Sequence, residues 1–400
     1  MSVDVSPAET IPDHVPPELV VDFDFMRDPR LREDVHDGLR KLQAEAPPLF
    51  YTPRNGGHWI AIGREMLFNV SRDYEVFSNA PQTEDRAKLP RRIPITYDPP
   101  EHGAYRHVLM HAFAPKVVAA MEQKIRALAI QLIEDMAPDG HCDFVPAVAE
   151  PLPVKIFMEI LGLPMERFAE FRVWVQQATG SYAPSERIGV LENVMEMTAP
   201  LVRARQETRQ DDLMSRIIDA DLDGRKPTFE EVQAFNLMLF IAGLDTVVNA
   251  MSFGVRHLAR DPELQARLRA EPALIPKAME ELLRRYSIAN PSRQVSRDTV
   301  YEGVELKKGE LVMLATPAAN LDPAAFDEPE RIDLDRTEPH LAFGVGPHRC
   351  VGSHLARLEL RILYEEMLAR LPPFRADPDR RERVRPAVVF AVESLPLTWA

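Results

Sequence analysis

The chain has 400 residues, 45% of them hydrophobic, enough to bury a large core in one domain or in two or three ordinary ones. Its 48 basic and 62 acidic residues give a formal charge of −14, which argues against general nucleic-acid binding. There are two cysteines, Cys142 and Cys350, too few for a disulfide framework, so each thiol has to be explained by itself.

Residues 1–25 are acidic and Pro-rich, without the basic start and apolar run of a signal peptide or membrane anchor. The most apolar stretch, 237–244, falls short of the ~20 residues that span a bilayer. A soluble, cytoplasmic protein with no membrane partner is expected. Residues 59–62 read as a short strand. From about Glu101 helical periodicity takes over, over 101–113, 117–136, 154–161, 165–178, 187–207, 211–219, 229–260, 262–270 and 274–287. Asp261-Pro262 and Glu271-Pro272 punctuate that series as helix starts do. Short strands follow between 292 and 316, then a loop-rich stretch over 320–349, a helix over 352–371 and strands over 384–399. With no internal repeat and no low-complexity linker, the pattern predicts one mainly α domain, 1–400, with a small β portion.

The strongest local signal is the loop 343–352, Phe343-Gly344-Val345-Gly346-Pro347-His348-Arg349-Cys350-Val351-Gly352. Cys350 stands at the mouth of the following helix, whose positive dipole end favours a thiolate over a thiol. Gly344, Gly346 and Gly352 allow sharp turns and the close approach of a flat ligand, and Phe343 can cover the sulfur. A thiolate there suits haem iron, because its electron donation favours cleavage of a bound O–O bond. A nucleotide-binding fingerprint is excluded, since no βαβ unit surrounds these glycines. Cys142 has no such setting and reads as structural.

The middle of the 229–260 segment is apolar nearly all round, as in a helix that crosses a core. Within it lie Ala242-Gly243-Leu244-Asp245-Thr246. A carboxylate and a hydroxyl there are costly without a purpose. Gly243 permits close approach, and Thr246 can bond a carbonyl one turn back and open the helix. Beside a haem, such an opened turn would relay protons.

Among the charges, Glu281 and Arg284 lie one turn apart and can pair. His102 and Arg106 share a helix face, and with Arg293 and His348 they would suit haem propionates. His107 and His111 have the spacing of a zinc pair but lack the glutamate of a zinc protease and a third ligand.

Taken in order, residues 242–246, Glu281 through Arg284, the stretch around Arg336 and 343–352 resemble the cytochrome P450 family across essentially the whole chain. Residues 55–61, 244–249, 304–309 and 395–399 are similar to segments of its bacterial camphor hydroxylase branch. The resemblance implies a triangular, mainly helical fold with haem b between the 229–260 helix and the Cys350 loop. It implies axial ligation of the iron by Cys350, haem contact by Phe343, proton delivery by Asp245 and Thr246, and propionate contacts from His102, Arg106, Arg293 and His348. Glu281, Arg284 and Arg336 would form a structural network behind the haem. O2 would be co-substrate. Electrons would come from a [2Fe–2S] ferredoxin and its NADH-dependent reductase, docking near Arg106 and Arg349.

One departure bears on the substrate. Eight residues before its Asp-Pro-Pro the camphor enzyme has a tyrosine that binds the camphor ketone; here Pro90 stands there, and 81–96 contains no tyrosine. The loss of that donor removes ~0.5–1.5 kcal/mol of orientation. By resemblance the pocket positions are Met238, Ile241, Ala242, Ile288, Val388 and Val389, all apolar or small. The expected substrate is an apolar terpenoid of monoterpene or norisoprenoid size, such as an ionone. The alternatives are camphor itself, a peroxide-driven hydroxylase, which the Asp245–Thr246 pair argues against, and a non-enzymatic haem sensor or terpenoid-binding protein.

Overall fold

In the computed structural model, residues 8–170, 173 and 184–400 are described. The chain divides into two compact units, each assembled from three separated segments.

The first unit comprises Met1–Arg86, Pro276–Cys350 and Glu382–Glu393. Its centre is a five-stranded sheet in the order Leu49–Thr52, His58–Ala61, Leu311–Leu314, Ser292–Val295 and Phe77–Ser78. The second and third strands pair in parallel and the other neighbours are antiparallel. Trp59, Leu67, Phe77, Val295, Val312 and Leu314 fill the core against it. Trp59 buries its ring while its indole N–H donates to Glu310 at 3.0 Å, which removes the cost of an unpaired donor. Two helices of this unit, Val35–Glu45 and Arg64–Arg72, and the strand Leu49–Thr52 go beyond the single strand expected before Glu101. The first is capped by Asp34, which accepts from the His36 and Asp37 N–H groups, and it buries Val35, Leu39 and Leu42 at helical spacing.

The second unit comprises Ala87–Ile275, Val351–Arg381 and Ser394–Ala400 and carries most of the helices. The expected 117–136 helix is two, Pro115–Ala119 and Glu122–Met136, and the 154–161 helix begins earlier, at Pro151. Pro151 and Pro153 fall in the first turn, where a missing N–H costs nothing. Of the expected 165–178 helix, Met165–Arg167 is a 3-10 turn, and 171, 172 and 174–178 lie outside the described residues. Helix Ser353–Arg370 packs on Glu122–Met136. Arg126 pairs there with Glu122, Glu365 and Glu366, and Arg361 with Glu122 and Glu365. A three-stranded antiparallel sheet joins His141–Asp143, Pro396–Trp399 and Phe374–Ala376.

The expected 229–260 helix is interrupted. Phe229–Leu244 ends at Asp245, and Thr246–Leu258 begins beyond it. A capping box starts the first half: Thr228 accepts from the Glu231 N–H while Glu231 accepts from the Thr228 N–H. Counted together across the break, Phe229–Leu258 is long and apolar enough to cross a bilayer by length and composition. Here Phe229–Leu244 packs against the helices Pro151–Leu161, Pro184–Glu207 and Leu213–Asp219, as a core helix does.

Candidate active site

In the first unit the cysteine loop is a tight double turn. The Gly344 N–H donates to Leu341 O at 2.8 Å, and the Cys350 N–H donates back to Phe343 O at 2.8 Å. Gly344 and Gly346 have φ of 67° and 74°, a region that favours glycine. At Gly346 a side chain would also meet the Ser71 carbonyl oxygen at 2.6 Å, so this glycine serves a close approach of backbone to backbone. Gly352 has φ −81°, open to any residue, so its presence needs no conformational reason. The turn leaves Cys350 exposed. Cys142, by contrast, is buried beside Leu397 in the three-stranded sheet of the second unit. Burial pushes its thiol up to about 12, so it stays protonated at neutral pH and is no thiolate ligand.

Glu281, Arg284 and Arg336 are brought together in the first unit. Arg284, 1% exposed, donates from Nε and Nη2 to the Glu281 carboxylate at 2.8–3.0 Å. Its remaining donors reach the carbonyls of Asn320, Pro329 and Arg331. Arg336 pairs with Glu281 at 2.8 Å. Both guanidinium groups lie near the buried Phe326 ring, at 5.1 and 5.7 Å. Two residues that local sequence did not single out complete the support. Asn320, fully buried, accepts from the Leu341 N–H at 2.7 Å, and His340 pairs with Glu280 at 2.9 Å while accepting from the Ala342 N–H. Both act through contacts 20 to 60 positions away, or through their own turn, and leave no periodic signal.

Replacing Arg284 by alanine would leave the buried Glu281 carboxylate with Arg336 as its remaining guanidinium partner and three carbonyls without their donor. That is expected to cost ~3–5 kcal/mol, a large share of a typical domain's stability. A denaturant midpoint close to that of the unaltered protein would show that the network carries no such weight.

Also in this unit, Arg293 is buried and donates to Ser292 O at 3.1 Å, and His348 is half-buried. Ile288, Val388 and Val389 meet where two segments pair: the Phe390 N–H donates to Ile288 O and the Asn290 N–H to Val388 O, each at 2.8 Å. Val388 is exposed, and Ile288 and Val389 are half-exposed.

In the second unit, Met238, Ile241, Ala242 and Asp245 form one stripe of the interrupted helix. They are half-exposed although 232–237, 239 and 240 are buried. The Thr246 hydroxyl donates to Ala242 O at 2.8 Å, and the Asn249 amide and N–H both donate to Asp245 O. Thus a side-chain donor and a following turn occupy carbonyls at the break, which accounts for the opening. At Gly243 a side chain would collide with the Phe157 ring at 2.4 Å, so the glycine lets the helix Pro151–Leu161 approach. His102 is buried on the helix Glu101–Ala112, with Arg106 half-buried one turn on. His107 and His111 are exposed on that helix, with rings 4.4 Å apart.

A family model described as Cytochrome P450 matches residues 181–388. Among curated relatives, "Probable cytochrome P450 127A1" of Sinorhizobium fredii is 35% identical, over 98% of this chain and 97% of that protein. "Steroid C26-monooxygenase" of Mycobacterium tuberculosis is 34% identical, over 84% of this chain and 93% of its own length. Among solved structures, that of CYP101J2 is 37% identical with a TM-score of 0.89, covering 98% of this chain and 99% of the other.

Proposed function

Because this chain belongs to the cytochrome P450 family, in its camphor-hydroxylase-like branch, and is therefore a haem-dependent monooxygenase, we propose that its substrate is an apolar terpenoid and its electron donor a [2Fe–2S] ferredoxin. The family carries haem b and uses O2 as co-substrate. Bound haem supplies the activation of O2, one atom of which enters a substrate C–H bond while the other leaves as water.

The residues fit that group. Cys350 offers an exposed sulfur from a loop whose backbone is closed by its own hydrogen bonds. Arg293, His348, His102 and Arg106 offer imidazole and guanidinium donors of the kind that bind propionates. Cys350 would hold the iron, and Phe343 would pack beside the macrocycle. Thr246 Oγ1 carries the proton to be delivered, and Asp245 replaces it. Glu281, Arg284 and Arg336 act behind the loop as structure. In this reading residues 1–400 act as one functional domain, although the chain divides into two compact units. An NADH-dependent reductase would feed the ferredoxin, with Arg106 and Arg349 at its docking face. A cytoplasmic setting suits the −14 charge and two cysteines that form no disulfide.

The observation that carries the substrate class is the half-exposed stripe Met238, Ile241 and Ala242 on an otherwise buried helix. The stripe presents hydrocarbon, as do Ile288, Val388 and Val389 in the first unit, and 81–96 supplies no tyrosine hydroxyl to hold a ketone. A relative named for steroid oxidation is in keeping with an apolar substrate. Titration of the ferric protein with α-ionone, β-ionone and camphor, followed at the Soret band, tests this. A full low-spin to high-spin shift with the ionones and little with camphor is expected. A full shift with camphor alone would return the enzyme to camphor hydroxylation.

A further inference from the structure

We propose that His36, on the helix Val35–Glu45, is a positioning residue that sets the shape of the substrate pocket by clamping the paired segments that carry Val389. The inference rests on the pocket assigned above.

The segments 286–290 and 387–390 form a minimal ladder, one antiparallel bridge with its flanking hydrogen bonds. The Phe390 N–H donates to Ile288 O, the Asn290 N–H to Val388 O, and the Asn290 amide to Ala387 O at 3.3 Å, with Ala289 opposite Val389. Side chains alternate sides along such a ladder. With Ala289 opposite Val389 these two share one face, and Ile288 falls on the other with Phe390, so where Val389 sits is set by how the ladder's backbone is held from behind.

What holds it is one fully buried imidazole. His36 Nε2 lies 2.8 Å from Ser287 O, at the foot of the ladder. The same ring stands edge-on to Tyr286 at 5.2 Å and 89°, and to Phe390 at 5.6 Å and 86°. Tyr286 and Phe390 belong to opposite strands, so the ring touches both and hydrogen-bonds one of them. Ser287 is itself anchored, its hydroxyl donating to Leu283 O and accepting from the Asn320 amide. Histidine meets two demands at once that other side chains meet singly. Asparagine can reach the carbonyl but has no ring, and phenylalanine has the ring but no donor. A hydrogen bond and perpendicular ring contacts are directional, so their loss lets the ladder shift by fractions of an ångström, enough to reshape an apolar pocket.

The test compares two ferric-haem ligands. Imidazole needs only access to the iron, whereas 4-phenylimidazole must also seat its phenyl group in the pocket. In His36→Ala, the ratio of the two dissociation constants is expected to move about tenfold. The thiolate-type ferrous–CO spectrum and the affinity for imidazole should stay as in the unaltered enzyme. Phe390→Ala should move the ratio the same way, and it serves where His36→Ala fails to fold. His36→Asn and His36→Phe should each restore part of the discrimination. An unchanged ratio in either folded alanine variant, with or without a lower melting temperature, would overturn the proposal, since a purely structural histidine changes stability alone. If imidazole shows no binding to the unaltered protein, the assignment of the haem pocket falls first and takes this inference with it.

Discussion

Cys350→Ser should eliminate the thiolate-type ferrous–CO spectrum and lower hydroxylation by on the order of a thousandfold, or about 4 kcal/mol of barrier. The reason is electronic. A serine oxygen leaves a hard, weakly donating ligand where a thiolate pushes electron density onto the iron and favours O–O cleavage. The fold should survive, because the loop is closed by the Cys350 and Gly344 N–H groups and not by the sulfur, which is exposed. Cys142→Ala is the control. Its thiol, pushed up to about 12 by burial, has no part in the chemistry, so the spectrum should stay while stability drops modestly. Retention of the spectrum in Cys350→Ser, or its loss in Cys142→Ala, would reassign the ligand.

Thr246→Ala should separate electron consumption from product. NADH oxidation continues, while product per NADH falls roughly tenfold or more and hydrogen peroxide accumulates, as expected where a positioned proton donor contributes ~10²–10⁴ to the step it serves. The hydroxyl sits at the one interruption of a long apolar helix and donates to Ala242 O at 2.8 Å, so a proton is held at a defined atom. Its removal costs about 1 kcal/mol of local hydrogen bonding, too little to unfold the enzyme. Thr246→Ser keeps the donor and should keep the coupling. Equal coupling in the alanine variant would leave Thr246 with a structural part only, as the hydroxyl that opens the helix.

Much of this was readable locally. The helix over 229–244 announces itself by its apolar run and by Thr228 with Glu231, a capping box that needs only three residues of spacing. The break at Asp245 follows from a hydroxyl four residues past Ala242. Cys350 stands out from Cys142 by its neighbouring glycines, and the positive φ of Gly344 and Gly346 bears out the turns expected there. The helix Val35–Glu45 was equally legible from Asp34 and the spacing of Val35, Leu39 and Leu42, although the Pro-rich surroundings masked it.

By itself, then, the sequence determined the helical periodicity, the caps, the thiol loop and the interrupted helix, because each depends on residues within a turn or two of one another. Tertiary structure alone decided which residues stand behind them. Asn320 meets Leu341 and Ser287, Arg284 reaches the carbonyls of Asn320, Pro329 and Arg331, and His36 crosses to residues 287 and 390. These partners lie tens to hundreds of positions apart. Nothing in local hydrophobic pattern encodes which buried donor will face which carbonyl. That is settled only when the core closes and every buried polar group must find its partner.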